Sequence, residues 1–320
     1  MAKKIVSSVL LTFMLTLASA SALVMNGLAW SNGGYSSDPA NPDYGTHDWI
    51  AEHALDWLPT KEKQYILDNL AAYLYGTELP DNGQAPDGIG DTTLHHIYFN
   101  SGGHLIDDAA AVRAITEFNN TLTKLNVKDY ENAAKNAGIM THYIADVAVF
   151  AHAMGSKTDW GPAMHHSDYE EGANGYTLTY DSAFTIFLMF DGNLNEISPY
   201  DAAVSLAYDT TFDVNGSLTA VWMDQNYNWN NQTFKERVGE SLNLAVNYIT
   251  DVLHTLYVKY VESDIEIPSP SEPSYLPTFP QVTIPLWTIG AAVAATALIV
   301  IFVLTRRRPK QARSKLVRFI

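Results

Sequence analysis

Five residues between His142 and Glu170 carry the strongest chemical signal in this 320-residue chain: His142, Asp146, His152, His166 and Glu170, in the pattern H-x3-D-x5-H-x13-H-x3-E. Residues four apart on an α-helix share a face. In helical segments His142 with Asp146, and His166 with Glu170, therefore make two chelating pairs, with His152 as a fifth donor between them. Imidazole nitrogen and carboxylate oxygen are good Zn²⁺ ligands, and a set of this size can hold more than one ion. A single histidine needs no metal to explain it; five donors in this order within an Ala-rich stretch do. Cysteine is absent, which excludes thiolate sites and cysteine nucleophiles. Neither a glycine-rich phosphate loop nor a G-x-S-x-G nucleophile motif occurs.

The elements that must position these residues are mostly helical. Thr46 is a candidate cap for a helix running through His47 to Trp57, with Trp49, Ile50, Ala54 and Leu55 at helical spacing. Lys61–Tyr75 has the same character, and Glu78–Thr93 is a loop punctuated by Pro80, Gly83, Pro86, Gly88 and Gly90. Helical patterns return over Ile106–Leu122 and Lys128–Met154. Met164–Gly172, Ser182–Asp191, Pro199–Tyr208 and Val214–Tyr227 are shorter, and Thr233–Val261 is a long final helix. Tyr176–Tyr180 is the one strand candidate. There is no internal repeat, and the fold class expected is all-α.

Both ends differ from the middle. Lys3 and Lys4, an apolar run from Ile5 to Leu17, and small residues after it describe a signal peptide over 1–29. Cleavage sites are available after Ala20, Ala22 or Ala29. A helical domain is expected over 30–264 and a stiff linker over 265–283, where Pro268, Pro270, Pro273, Pro277 and Pro280 stand among Ser and Glu. Residues 284–305 form an apolar stretch; Ile284–Leu304, at ~1.5 Å per residue, spans about 30 Å, a bilayer core. A basic tail, 306–320, follows with Arg306, Arg307 and Arg308 at its start. Positive charge marks the cytoplasmic side, so the expectation is a single-pass protein of the cell membrane with its helical domain outside.

All 35 acidic residues lie between Trp30 and Thr283, with only ten of the 19 basic ones, leaving that span near −25. Such a surface repels polyanions, and no stable nucleic-acid partner is expected. Hydrophobic content of 47% argues against general disorder. Asn119, Asn215 and Asn231 each begin an N-x-S/T sequon.

The segment HYIADVAVFAH (His142–His152) followed by HSDYE (His166–Glu170) resembles the metal-binding core of bacterial zinc-dependent phospholipase C. That family shares a helical fold with the S1/P1 nucleases, and the resemblance implies three zinc ions. The short gap before His166 and the Glu at 170 favour the phospholipase branch. The resemblance extends over the whole exported span. It matches His47 in HDWI to a helical ligand, Asp81 in LPD to a loop carboxylate, His96 in HIY to a ligand before an aromatic residue, and Trp30 to an N-terminal ligand acting through its amino group. By that resemblance His96, His142 and Asp146 hold one ion, with Asp146 bridging to a second completed by Trp30 and His47. His152, His166 and Glu170 hold the third, and Asp81 is the general base or a further carboxylate beside the first.

Sequence order leaves some choices open. His95 adjoins His96, His165 adjoins His166, and Asp87 and Asp91 compete with Asp81. Spacing to Glu170 favours His166; the resemblance favours His96 and Asp81. His53, His104 and His254 have no place in the pattern. The function expected is hydrolysis of a phospholipid or another phosphodiester, with the membrane reached through the C-terminal helix. Its alternatives are an S1/P1-type nuclease or 3′-nucleotidase, and a non-catalytic metal-binding surface protein.

Overall fold

A computed structural model describes residues 35–214 and 216–262. The chain divides into two units, 1–266 and 267–320, and every described residue belongs to the first. Trp30 and the expected signal peptide, linker, membrane span and basic tail lie outside the described residues. Among those described, no helix is long and apolar enough to cross a membrane.

The described unit is mostly helical: α1 (Thr46–His53), α2 (Thr60–Leu67), α3 (Leu70–Glu78), α4 (Ala109–Asn126), α5 (Tyr130–Asp146), α6 (His166–Asn174), α7 (Pro199–Phe212), α8 (Ala220–Gln225) and α9 (Gln232–Glu262). Short 3₁₀ turns occupy Thr92–Leu94, Phe150–Ala153 and Ala183–Phe187. One antiparallel hairpin pairs β1 (Tyr98–Phe99) with β2 (Leu105–Asp107).

Helix α5 is the centre of the core. From Gly138 to Asp146 every residue is buried, as expected of a helix surrounded on all sides. Its small residues allow α3 to approach closely. A methyl group on Gly138 would lie 1.9 Å from the Tyr73 carbonyl oxygen, and one on Gly76 would lie 2.2 Å from that of Lys135. The pair of glycines thus sets how close α3, and the Asp81 loop after it, comes to the ligand face of α5.

Several expectations from sequence change in detail. The first helix stops at His53. Gly45, not Thr46, stands at its N-cap, with Asp48 accepting the Gly45 N–H at 2.9 Å, while the Thr46 hydroxyl bonds that of Thr177. Lys61–Tyr75 is two helices, because Asn69 leaves helical geometry and its side-chain amide caps α2 at the Tyr65 carbonyl (2.8 Å). Ile106 belongs to the hairpin. Lys128–Met154 breaks after Asp146, where Val149 turns extended, so His152 sits on a separate 3₁₀ turn.

Tyr176–Tyr180 forms no strand; the Tyr180 carbonyl instead accepts from the Trp49 indole (3.2 Å) and pairs with the His53 ring (3.0 Å). Beyond Phe187 the expected helix gives way to an extended run along α9. There Asn243, Asn247, Asp251 and Thr255 accept the N–H groups of Met189, Asp191, Asn195 and Ile197 at 2.7–3.1 Å. Side chains four apart on one helix have taken up the donors a helix would have used itself.

Candidate metal centre

Helices α1 and α5, the loop after α3 and the 3₁₀ turn at Thr92–Leu94 bring five side chains together. The donor atoms of His47, His142 and Asp146 lie within 4.8 Å of one another, as do those of Asp81, His95 and His142. Asp146 is at the middle. Its Oδ1 is 3.2 Å from His47 Nε2, and its Oδ2 is 2.9 Å from both His142 Nε2 and His95 Nδ1. Asp81 Oδ1 lies 3.3 Å from His95 Nδ1 and 3.9 Å from His142 Nε2. A third group unites His152, His166 and Glu170, with Glu170 Oε1 at 3.3 Å and 2.9 Å from the two imidazoles.

Backbone partners fix which imidazole nitrogen faces each group. His142 Nδ1–H donates to the Thr77 carbonyl, so its Nε2 keeps a lone pair that faces the centre, 3.2 Å from His95 Nδ1. His152 Nδ1–H donates to the His95 carbonyl at 2.7 Å, which aims its Nε2 at Glu170 and ties the third group to the first two. In α6 the i,i+4 geometry aligns His166 with Glu170, and Asp224 holds the entry to that helix by accepting the Met164 and His165 N–H groups at 2.9 Å each. His47 has no hydrogen-bond partner on either nitrogen.

The electrostatics are those of a cation site. Both Asp146 oxygens, Asp81 Oδ1 and Glu170 Oε2 are buried without a hydrogen-bond partner, a costly arrangement for a carboxylate unless a positive charge satisfies it. Burial pushes Glu170 up to about 8 and Asp81 up to about 6. Burial also drives the His47 and His142 imidazoles below the ordinary histidine range, with Asp146 opposing. It pulls His95 the same way, yet the Asp146 and Asp91 carboxylates beside it lift that ring to about 10. For Asp146, burial is outweighed by His142, His152 and His47, which hold its carboxyl well below the usual range. Imidazole and carboxylate donors without thiolate suit zinc. The residues present fit that ion.

A family model described as zinc dependent phospholipase C matches residues 46–232 of the chain. The chain belongs to the zinc-dependent phospholipase C family. The family is one of zinc-dependent phosphodiester hydrolases, and the matched region contains every residue of the three groups. Among solved structures, the chain is similar to the alpha toxin of Clostridium absonum, at 15% identity and a TM-score of 0.46, over 69% of this chain and 65% of the toxin. It is also similar to an avian-strain Clostridium perfringens alpha-toxin, at 14% identity and a TM-score of 0.42, over 68% and 64%. The chain thus spans just under two thirds of either toxin. No curated protein matches it.

Of the residues expected from sequence, the structure brings His47, Asp81, His142, Asp146, His152, His166 and Glu170 into these groups; Trp30 lies outside the described residues. His96 is a correction. The phospholipase C-like cluster takes His95, and the His96 ring turns away to stack on Tyr98 at 4.1 Å and lie 3.2 Å from Asp107. The rival carboxylates face other partners with the oxygens that could ligate: Asp87 lies away from the centre, and Asp91 supports His95 from behind its ring. Asp87 pairs with Lys135 at 2.8 Å, and Asp91 with Arg113 at 2.8 Å. Sequence reasoning left His95 open as a donor beside the favoured His96, and missed Asp91, Arg113 and Asp224 as supports. A signal for the first was present: DTTLH repeats the four-residue carboxylate–histidine spacing in Asp91–His95.

Proposed function

We propose that this chain hydrolyses phospholipids as a phospholipase C, releasing a phosphorylated head group, from a domain held outside the cell. The observation that carries this reading is the convergence of His47, Asp81, His95, His142, Asp146, His152, His166 and Glu170 within the region matched by the family. His95, His142 and Asp146 would hold one zinc and His47 with Asp146 a second, completed by the amino group of Trp30 after cleavage at Ala29. His152, His166 and Glu170 would hold a third.

Bound there, zinc ions neutralise phosphate oxygens and lower the pKa of a coordinated water. The chain's own residues supply the rest. Asp146, facing three imidazoles, keeps the shared carboxylate ionised. Asp81 is the proton acceptor: its Oδ1 has no hydrogen-bond partner and stands at the edge of the group, and burial pushes its carboxyl up to about 6. Thr77, Asp91 and the His95 carbonyl hold the imidazoles in fixed tautomers, so no ligand has to rotate as substrate arrives.

Extracellular location and anchoring belong to the same proposal, supported by the basic–apolar–small pattern of 1–29 and the apolar stretch 284–305 ahead of Arg306, Arg307 and Arg308. A tether would keep the domain beside its lipid. The test uses the full chain on phosphatidylcholine vesicles, a chromogenic phosphodiester and single-stranded DNA, each with and without chelator. Chelator-sensitive release of phosphocholine is the expected result. DNA cleavage without lipid cleavage would overturn it in favour of a nuclease, and zinc binding with no cleavage would leave a binding protein.

A further inference from the structure

We propose that Asp91 and Arg113 form the pair that selects His95 over its neighbour His96 and locks the His95 imidazole with Nδ1 toward the metal centre. The proposal rests on the zinc reading above.

The His95 ring is held from both edges. Nε2–H donates to Asp91 Oδ1 at 3.3 Å, and Nδ1 stands 2.9 Å from Asp146 Oδ2 and 3.3 Å from Asp81 Oδ1. With one proton committed to Asp91, the proton that a metal displaces is the one on Nδ1, and the lone pair it leaves faces the other donors. Asp91 is itself fixed. Its Oδ1 also accepts the Tyr143 hydroxyl at 2.8 Å, and its Oδ2 takes Arg113 Nε at 2.8 Å. Arg113 in turn reaches Glu117 at 2.9 Å and lies over the Tyr143 ring at 4.9 Å, so a guanidinium on α4 is wedged between two carboxylates and an aromatic face.

The backbone completes the device. Leu94 N–H bonds the Asp91 carbonyl at 2.8 Å, closing the turn that brings His95 back over Asp91. Asp91 N–H bonds the Pro80 carbonyl at 3.0 Å, next to Asp81. Gly90 makes that junction possible: it has φ +64°, and a methyl group there would lie 2.6 Å from Gly83 Cα. One residue further on, His96 has no such carboxylate at the centre and turns to Asp107. Helix α4 supplies no ligand to the centre, yet through Arg113 it fixes one.

These are positioning residues, and the test reads metal rather than turnover. The full chain and its Asp91→Ala, Asp91→Asn, Arg113→Met and His95→Ala variants are titrated with zinc against a competing chelator, and their cobalt-loaded forms are compared by visible absorption. Asp91→Ala should weaken one zinc site about 10–100-fold and alter the cobalt bands of that site, leaving the other sites unchanged. Asp91→Asn keeps an acceptor for His95 but sets an amide N–H₂ against Arg113, and should fall between. Arg113→Met should weaken the same site several-fold, and Asp91→Ala combined with His95→Ala should lose no more than His95→Ala alone. Unchanged zinc affinity and cobalt spectrum in Asp91→Asn and Asp91→Ala would overturn the positioning role; if Asp91→Ala does not fold, the isosteric Asp91→Asn decides. A wild-type chain that binds no zinc would overturn the reading of the centre itself.

Discussion

The imidazoles of His47 and His142 stack 3.9 Å apart and 13° from parallel, although one is on α1 and the other on α5. Two rings this close, both buried, cannot both be imidazolium cations without repulsion, and burial holds each below the ordinary histidine range. They stay neutral, the form that binds a metal, and Asp146 faces both.

That arrangement makes Asp146 the residue on which the metal load depends most. Asp146→Asn removes a charge that meets three imidazoles within 3.2 Å, whereas Asp81 lies at the rim. Asp146→Asn should lose more zinc than Asp81→Asn, and Asp81→Asn should lower kcat with most of the metal retained. Metal content by elemental analysis beside turnover checks this; equal zinc in the two variants would remove Asp146 from its shared position.

Zinc binding should release protons in a pH-dependent way. The metal-free fold raises His95 to about 10 and Glu170 to about 8, so both carry protons at pH 7 that a cation must displace. His47, His142 and His166, pushed down by burial, are already deprotonated and release none. The proton count should therefore fall as pH rises past 8, and fall again approaching 10. Calorimetric titration with zinc in buffers of different ionisation enthalpy measures it; a count rising with pH would contradict the assignment.

The α3–α5 contact should tolerate no added methyl group. Gly138→Ala places a Cβ against the Tyr73 carbonyl, where backbone cannot yield without separating the helices. A cost of about 1–3 kcal/mol in urea unfolding is expected. The Thr77–His142 hydrogen bond bridges the same two helices, so zinc affinity should drop together with stability. The same substitution at Gly161, which has nothing within 4 Å of its Cβ position but a φ of +73°, should strain the backbone and leave zinc affinity alone.

Asp224 should matter to one ion only. It is 4% exposed and accepts two backbone N–H groups just ahead of His166. Asp224→Ala should cost about 1–3 kcal/mol for the stranded donors. It should also loosen the His152, His166 and Glu170 group about 10–100-fold, in the manner of an outer support, with the other sites unchanged. Stepwise chelator titration separates the sites.

What the sequence determined by itself is whatever obeys a local period. His142 with Asp146 and His166 with Glu170 are legible because α-helical geometry puts residues four apart on one face, and the Ala-rich stretch around His142 announces a buried helix. The absence of cysteine restricts the donors to imidazole and carboxylate. Tertiary structure decided the rest. His95 and His96 lie beside a three-residue 3₁₀ turn with no period to separate them, and the choice falls to Arg113 and Asp91, brought in from α4 and a glycine-bent loop. Asp81 outranks Asp87 because Lys135 and Tyr75 draw Asp87 to the surface. The break after Asp146 and the extended run beside α9 depend on hydrogen-bond partners tens of residues away. A propensity read along the chain cannot weigh partners that only folding brings within reach.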